Sequence, residues 1–82
     1  MARHRVRFLV SQDTSDRALS MLARDVASKV REGFQVEVRV PNHDPRASHG
    51  SNGIIEKILA FLHELIRRGL LHHADLSQIE FT

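Results

Sequence analysis

The chain contains no cysteine, no tryptophan and no tyrosine. Because it lacks cysteine, it can form neither a disulfide bond nor a cysteine-ligated zinc site, and it requires no oxidising compartment. Four phenylalanines are its only large aromatic residues, so the hydrophobic core must be mainly aliphatic. Internal repeats and low-complexity segments are also absent. These absences favour an ordinary globular protein without covalent cross-links.

Long apolar runs are missing as well. No run approaches the roughly 18 residues that a membrane-spanning helix needs. The opening segment, MARHRVRFLV, has only about five consecutive residues that are apolar or nearly so, which is too few for a signal peptide. We therefore expect a cytoplasmic protein that makes no use of a membrane.

The 82 residues, of which 41% are hydrophobic and 27% charged, predict a single domain over residues 1–82. Two separate cores would each be too small to close. The isoelectric point is about 9.9, but the net charge is only +2. This excess is mild compared with the clustered basic surface that phosphate binding usually requires.

Periodicity predicts a strand, a helix and a second strand in the first half of the chain. Residues 5–10 and 34–40 alternate with a period of two, and Pro41 ends the second of these strands. Residues 15–31 carry apolar side chains at spacings of three and four, with Gly33 as the expected stop. The predicted inward positions are Val6, Phe8 and Val10, then Leu19, Leu22, Val26 and Val30, then Phe34, Val36, Val38 and Val40.

A polar loop, residues 41–53, leads into a second helix from residue 51 or 52 to residue 68, with Gly69 as its expected end. The apolar residues of this helix fill an arc of roughly 160°. Residues 76–81 allow a short third strand with Ile79 and Phe81 facing inward, and such a strand would help because two strands alone form a marginal sheet. The predicted fold class is α/β: β-α-β-(loop)-α with a short C-terminal third strand, and two helices packed on one face of a small sheet.

The polar loop is the first candidate site. It leaves a strand end and enters a helix N-terminus, where open α/β sheets bind ligands, and its N–H groups favour an anion. Its spacing matches neither the P-loop nor the dinucleotide-binding motif. The alternative is a solvated loop that caps the second helix. The residues concerned are Arg46, His49, Gly50, Ser51, Asn52 and Gly53.

Metal and catalytic patterns are not apparent. The six histidines are an enrichment, but their spacing does not define three or four converging zinc ligands, so we expect surface histidines, no metal and no cofactor. The chain has no GxSxG, HExxH or paired-carboxylate pattern, and a domain of this size offers little room for a substrate pocket. We therefore expect no catalytic residues and no enzymatic activity.

The outward positions of the two strands form a basic face, which is the second candidate. Its arginines are suited to phosphates, but aromatic side chains for base stacking are lacking and Glu37 lies among them. The alternative is a solvated sheet edge protected by charge. The basic residues are Arg3, Arg5, Arg7 and Arg39.

The second helix is the third candidate. A two-stranded sheet would not cover its whole apolar arc, which would leave a rim of exposed side chains at Leu59, Phe61, Leu70 and Leu71. Exposed apolar surface of this kind usually binds another protein or a second copy of the same chain. The alternative is a helix fully covered by its own domain.

The first strand and helix are followed by a second strand reading QVEVRV at residues 35–40 and by an SNG turn at residues 51–53. This layout, which covers most of the chain, resembles the DinI-like modulators of the RecA recombinase, short proteins of bacteria and their phages. The resemblance implies a small regulatory protein. The family's last helix is acidic and aromatic, and an apolar strand follows its turn, whereas residues 54–68 here carry two acidic and three basic residues and no tryptophan. The family's acidic-mimic mechanism therefore transfers to no residue of this chain.

The sequence thus predicts a small non-enzymatic regulatory or inhibitor protein that acts by binding another protein, or itself as a homodimer. Its alternative is a weakly basic nucleic-acid-binding module that uses the basic strand face.

Overall fold

The computed structural model describes residues 4–41 and 53–82. The elements follow one another as β1 (Arg5–Leu9), α1 (Asp16–Arg31), β2 (Gln35–Arg39), α2 (Gly53–Arg67), a 3-10 helix (His73–Gln78) and β3 (Ile79–Phe81). The three strands form one parallel sheet in the order β1-β2-β3. The predicted α/β fold class, with its short C-terminal strand and two packed helices, is confirmed.

The strand order explains why the sheet has one covered face. The connections β1-α1-β2 and β2-α2-β3 each lead to the next strand in the same direction across the sheet. Because connections between parallel strands are right-handed in nearly all proteins, both helices lie on the same side of the sheet. The register aligns Val6, Val36 and Ile79 across the three strands. These side chains face the helices, and the residues between them face away because successive side chains alternate.

Aliphatic residues of β2, β3 and both helices form the core, together with Val10 directly after β1 and Leu71 after α2. Within β1, the predicted inward residues Val6 and Phe8 are half-buried. The predicted inward positions of α1 and β2 are buried, except that Leu22 and Phe34 are half-buried, and Ala23 and Ala27 join the core from α1. The buried apolar residues are Val10, Leu19, Ala23, Val26, Ala27, Val30, Val36, Val38, Val40, Ile54, Ile58, Leu62, Leu65, Leu71 and Ile79.

Side-chain and backbone caps set the ends of α1. Ser15 precedes the helix with an extended backbone, and its hydroxyl oxygen accepts a hydrogen bond from the Ala18 N–H at 3.2 Å. At the other end Gly33 adopts φ +99°, a left-handed conformation that L side chains rarely take. The helix therefore begins and ends where the sequence predicts, to within one residue.

We expect Ser15→Ala to lower the free energy of unfolding by about 1 kcal/mol, because the helix would lose the acceptor for one of its first N–H groups. Chemical denaturation measures the loss. Ser28→Ala is the matched control: Ser28 lies exposed within the same helix, where alanine has the higher helix propensity. A Ser15→Ala variant as stable as Ser28→Ala would contradict the capping role.

The two helices run side by side in the same direction. Lys57 Nζ near the start of α2 lies 2.9 Å from Asp16 Oδ1 at the start of α1. The predicted apolar arc of α2 packs inward through Ile54, Ile58 and Leu62. The helix ends at Arg67, one residue before the predicted end, and Gly69 follows with φ +76°. The predicted starting residues 51 and 52 lie outside the described part of the chain.

The third strand is shorter than the sequence predicts. It begins at Ile79 instead of residue 76, because local hydrogen bonds hold the preceding residues in the 3-10 helix. The His72 N–H donates to Asp75 Oδ2 at 3.1 Å, and the Ser77 hydroxyl donates to the Ala74 carbonyl at 2.9 Å. Within the strand itself, Ile79 is buried and Phe81 packs against the core, both on the predicted inward face.

Among the described residues, no helix combines the length and apolar character needed to cross a bilayer.

Candidate binding surfaces

The sheet face that the helices leave uncovered carries both signs of charge. The register places Arg7, Glu37 and Glu80 in one row across the three strands, with Arg5 and Arg39 in the rows on either side. The three arginines are exposed, as predicted, whereas Arg3 lies outside the described residues. Two carboxylates therefore stand among the arginines that the sequence predicts as a basic face.

Glu37 is buried although it lies on the open face. It occupies the central strand, where the Arg7 Nε–H donates to its Oε1 at 3.0 Å and the Thr82 hydroxyl donates to its Oε2 at 3.1 Å. The hydrogen bond from Arg7 lowers the pKa of the Glu37 carboxyl; burial opposes this, and the Thr82 hydroxyl reinforces it. The solvent exposure that strand alternation predicts for this residue is therefore wrong, because Arg7 on β1 and Thr82, directly after β3, enclose its carboxylate.

We expect Glu37→Gln to remove part of the acid sensitivity of folding. Since the folded pKa of Glu37 is lowered, its carboxylate stabilises the protein fully above the unfolded pKa, and this contribution is lost as pH falls through the folded value. Melting temperatures measured between neutral pH and about pH 3 should fall more steeply for the wild type than for Glu37→Gln. If the melting temperatures of the two proteins fell equally steeply with decreasing pH, the stabilising role of the Glu37 carboxylate would be contradicted. Glu80→Gln, an exposed residue on the same row, is the control.

The predicted loop site falls almost entirely outside the described residues. Arg46, His49 and residues 50–52 lie there, and Gly53 is the first residue of α2. A depression of about 450 Å³ lies at the carboxyl ends of β1 and β2, and Asp13 and Pro41 contribute to its lining. The described strand order never reverses, so this edge lacks the switch-point crevice in which doubly wound sheets bind ligands.

Two pairs of rings involve histidine. The His63 and His73 rings have centroids 6.1 Å apart, and the His4 ring lies 6.2 Å from that of Phe34. Over residues 4–41 and 53–82, no three His, Asp or Glu side chains are grouped so that they could hold a metal ion.

The apolar rim predicted on α2 is largely covered. Leu71 is 3% exposed, so its placement at an exposed rim is wrong: the chain turns after Gly69 and carries Leu71 into the core. Leu59 and Phe61 are half-buried, and Phe61 packs against the core. Leu70, at 44% exposed, is the member of this set that faces solvent. The exposed rim is predicted from a two-stranded sheet, whereas the third strand and the 3-10 helix enlarge the domain beyond that.

An open groove runs between α1 and α2 on the side away from the sheet. Its C-terminal section has a volume of about 340 Å³ and is lined by Arg24, Ala27, Ser28, Arg31, Leu65 and Leu70. Its central section, about 170 Å³, is lined by Ser20, Arg24, Phe61, Glu64, Leu65 and Arg68. Arg24 and Leu65 border both sections, so we treat them as one interhelical groove.

The interhelical groove combines an apolar floor with basic walls. Ala27 and Leu65 form the floor, and Phe61 and Leu70 extend it. Arg24 and Arg31 form no ion pair with any described residue. The floor suits an apolar side chain, and the walls suit negative charge.

On the opposite wall, the single carboxylate of Glu64 is shared by two arginines. Arg68, which lines the groove, approaches it at 3.5 Å, and Arg67, which lies outside the lining, approaches it at 3.6 Å. The charge around the groove is therefore predominantly positive.

Sequence reasoning predicts only part of this groove, namely Phe61 and Leu70. It misses Arg24 and Arg31, which lie on α1 beside the buried stripe. The available signal is spacing: Ser20, Arg24 and Arg31 recur at intervals of four and seven residues, on one side of the stripe. That pattern alone does not indicate which neighbouring helix completes the surface.

Comparison with known proteins provides no relative: no family model, no curated protein and no solved structure matches this chain. The resemblance to the DinI-like modulators stays a hypothesis drawn from the layout of the sequence. The assignment of function therefore depends on the surfaces described above.

Proposed function

We propose that this protein is a small non-enzymatic regulator that acts by binding another protein through the interhelical groove. The observation that carries the proposal is an open groove between two helices, in which half-buried Phe61 and exposed Leu70 lie beside the buried floor. Its α1 wall holds two arginines, Arg24 and Arg31, that form no ion pair with any described residue. Apolar surface at the centre of a contact with polar groups around it is the usual composition of a protein interface.

Side-chain size makes the groove accessible. Ser20, Ala27 and Ser28 are small, so another backbone can approach α1 closely along this side. Leu70 stands at one end with 44% of its surface exposed, and its burial against a partner would remove apolar area from water. The groove therefore supplies both a shape and a driving force for association.

The open sheet face is less suited to a protein contact. A partner on that face would have to cover the Arg7–Glu37 pair, and taking an ion pair further from water costs more than its attraction returns unless new hydrogen bonds form. It is also less suited to nucleic acid than the sequence predicts, because Glu37 and Glu80 lower the positive potential around Arg5 and Arg39. We therefore place the nucleic-acid alternative second.

Site-specific photo-crosslinking tests the proposal. A photoreactive phenylalanine analogue at Leu70, the exposed apolar residue at the end of the groove, should crosslink one predominant protein in an extract of the source organism. The same analogue at Glu80, on the open sheet face, should not.

Capture of the same proteins from both positions, or of none from the groove, would contradict the proposal. A crosslink between two copies of this chain at Leu70, together with a dimer mass by light scattering, would identify the partner as a second copy.

A further inference from the structure

We propose that the occupant of the interhelical groove is an acidic amphipathic helix about three turns long, supplied by a partner protein. This inference rests on the proposed function and names the chemistry of the partner segment.

The dimensions of the groove set the length of the occupant. It follows α1 from Ser20 to Arg31, a distance of about 16 Å at 1.5 Å per residue. A helix of about 11 residues covers that distance and presents three or four side chains on one face. Apolar residues at i, i+3 or i+4, and i+7 would meet the floor formed by Ala27, Leu65 and Phe61.

A helix fits this groove better than an extended segment. The floor consists of side chains on two helices whose backbone groups are already hydrogen-bonded within each helix. An extended partner would place its own N–H and C=O groups against apolar atoms without partners, which is costly. A helix satisfies its backbone internally and packs as a third helix on the pair.

The charge of the walls selects an acidic partner. Arg24 and Arg31 stand on one wall without an ion pair among the described residues. Arg68 lines the other wall, where the carboxylate of Glu64 is the negative group. Asp or Glu residues that flank the apolar face of the incoming helix would form ion pairs with these arginines. A helix flanked by lysine would meet like charge on both sides, so the groove discriminates by sign.

Fluorescence anisotropy with two synthetic peptides tests the inference on the full chain. The probe is a labelled helical peptide of about 18 residues with leucine at i, i+3, i+4 and i+7 and glutamate at the flanking positions. The control peptide replaces each glutamate with lysine. We expect the acidic peptide to bind at least tenfold more tightly than the basic one.

Matched charge reversals locate the contact. Arg24→Glu combined with Arg31→Glu should weaken acidic-peptide binding at least tenfold. Arg5→Glu combined with Arg39→Glu makes the same change in net charge on the open sheet face and should weaken it less than threefold. Circular dichroism confirms that both double variants remain folded. Equal weakening by the two pairs would overturn the inference, since it would reflect net charge alone.

Binding of the protein to anionic phosphatidylglycerol vesicles is measured as well, because a lipid surface also presents negative charge. Vesicle binding that depends on Arg24 and Arg31, without acidic-peptide binding, would overturn the inference in favour of a lipid surface.

The crosslinking experiment separates this inference from the proposed function. A protein crosslinked at Leu70 through a segment that is neither acidic nor helical would overturn the acidic-helix inference and leave the groove as a protein-binding site.

Discussion

Leu62→Ala should lower the free energy of unfolding by about 2–5 kcal/mol, the loss that accompanies removal of a fully buried leucine side chain. Leu62 is 0% exposed and lies at the centre of the apolar face of α2. A domain of this length has a total stability of roughly 4–12 kcal/mol, at about 0.05–0.15 kcal/mol per residue. The substitution should therefore remove a large part of the folding free energy. Equilibrium denaturation in urea measures it.

Leu59→Ala is the matched control on the same helix. Leu59 lies about one turn before Leu62 and is half-buried. Because solvent already reaches this site, truncation of its side chain leaves no closed cavity. We expect a loss of about 1 kcal/mol or less. Equal destabilisation of the two variants would contradict the orientation of α2, in which Leu62 faces the core and Leu59 lies at its margin.

Ile79→Asp should unfold the protein at neutral pH or destabilise it by at least about 3 kcal/mol, because it places a carboxylate on the covered face of β3. Burial raises the pKa of a carboxyl group above its unfolded value, so the destabilisation is greatest at neutral pH and shrinks as pH falls through the raised pKa. Thermal unfolding followed by circular dichroism at neutral pH and at successively lower pH measures this change in stability.

The adjacent residue supplies the control. Glu80→Ala changes an exposed side chain on the opposite face of the same short strand and should shift stability by about 0.5 kcal/mol or less. Comparable effects at Ile79 and Glu80 would contradict the pairing of β3 with β2 in this register.

The secondary structure was predictable because its signals are local. Alternation with a period of two defines β2, and apolar spacings of three and four define both helices. Gly33 and Gly69 follow the helices at positive φ, as their positions predict. The third strand carries a weaker signal because it has only three residues, and the side-chain hydrogen bonds of the preceding 3-10 helix compete with extension.

The candidate site was harder to predict because it depends on which elements become neighbours. Leu71 has the same apolar character as Leu70, and only the path of the chain after Gly69 separates a buried residue from an exposed one. Glu37 has the sequence position of an exposed strand residue, but Arg7 on β1 and Thr82, directly after β3, enclose it. Neither distinction is present in the spacing of residues along the chain.

The sequence by itself determined the order and approximate limits of the elements and which face of each is apolar, because these properties depend on residues within a few positions of one another. Only the tertiary structure decided the strand order β1-β2-β3, the burial of Glu37 and the pairing of α1 with α2. These depend on contacts between distant segments, such as Asp16 with Lys57. The interhelical groove exists because two such segments pack side by side, and for that reason Arg24 and Arg31 could not be recognised from either helix alone.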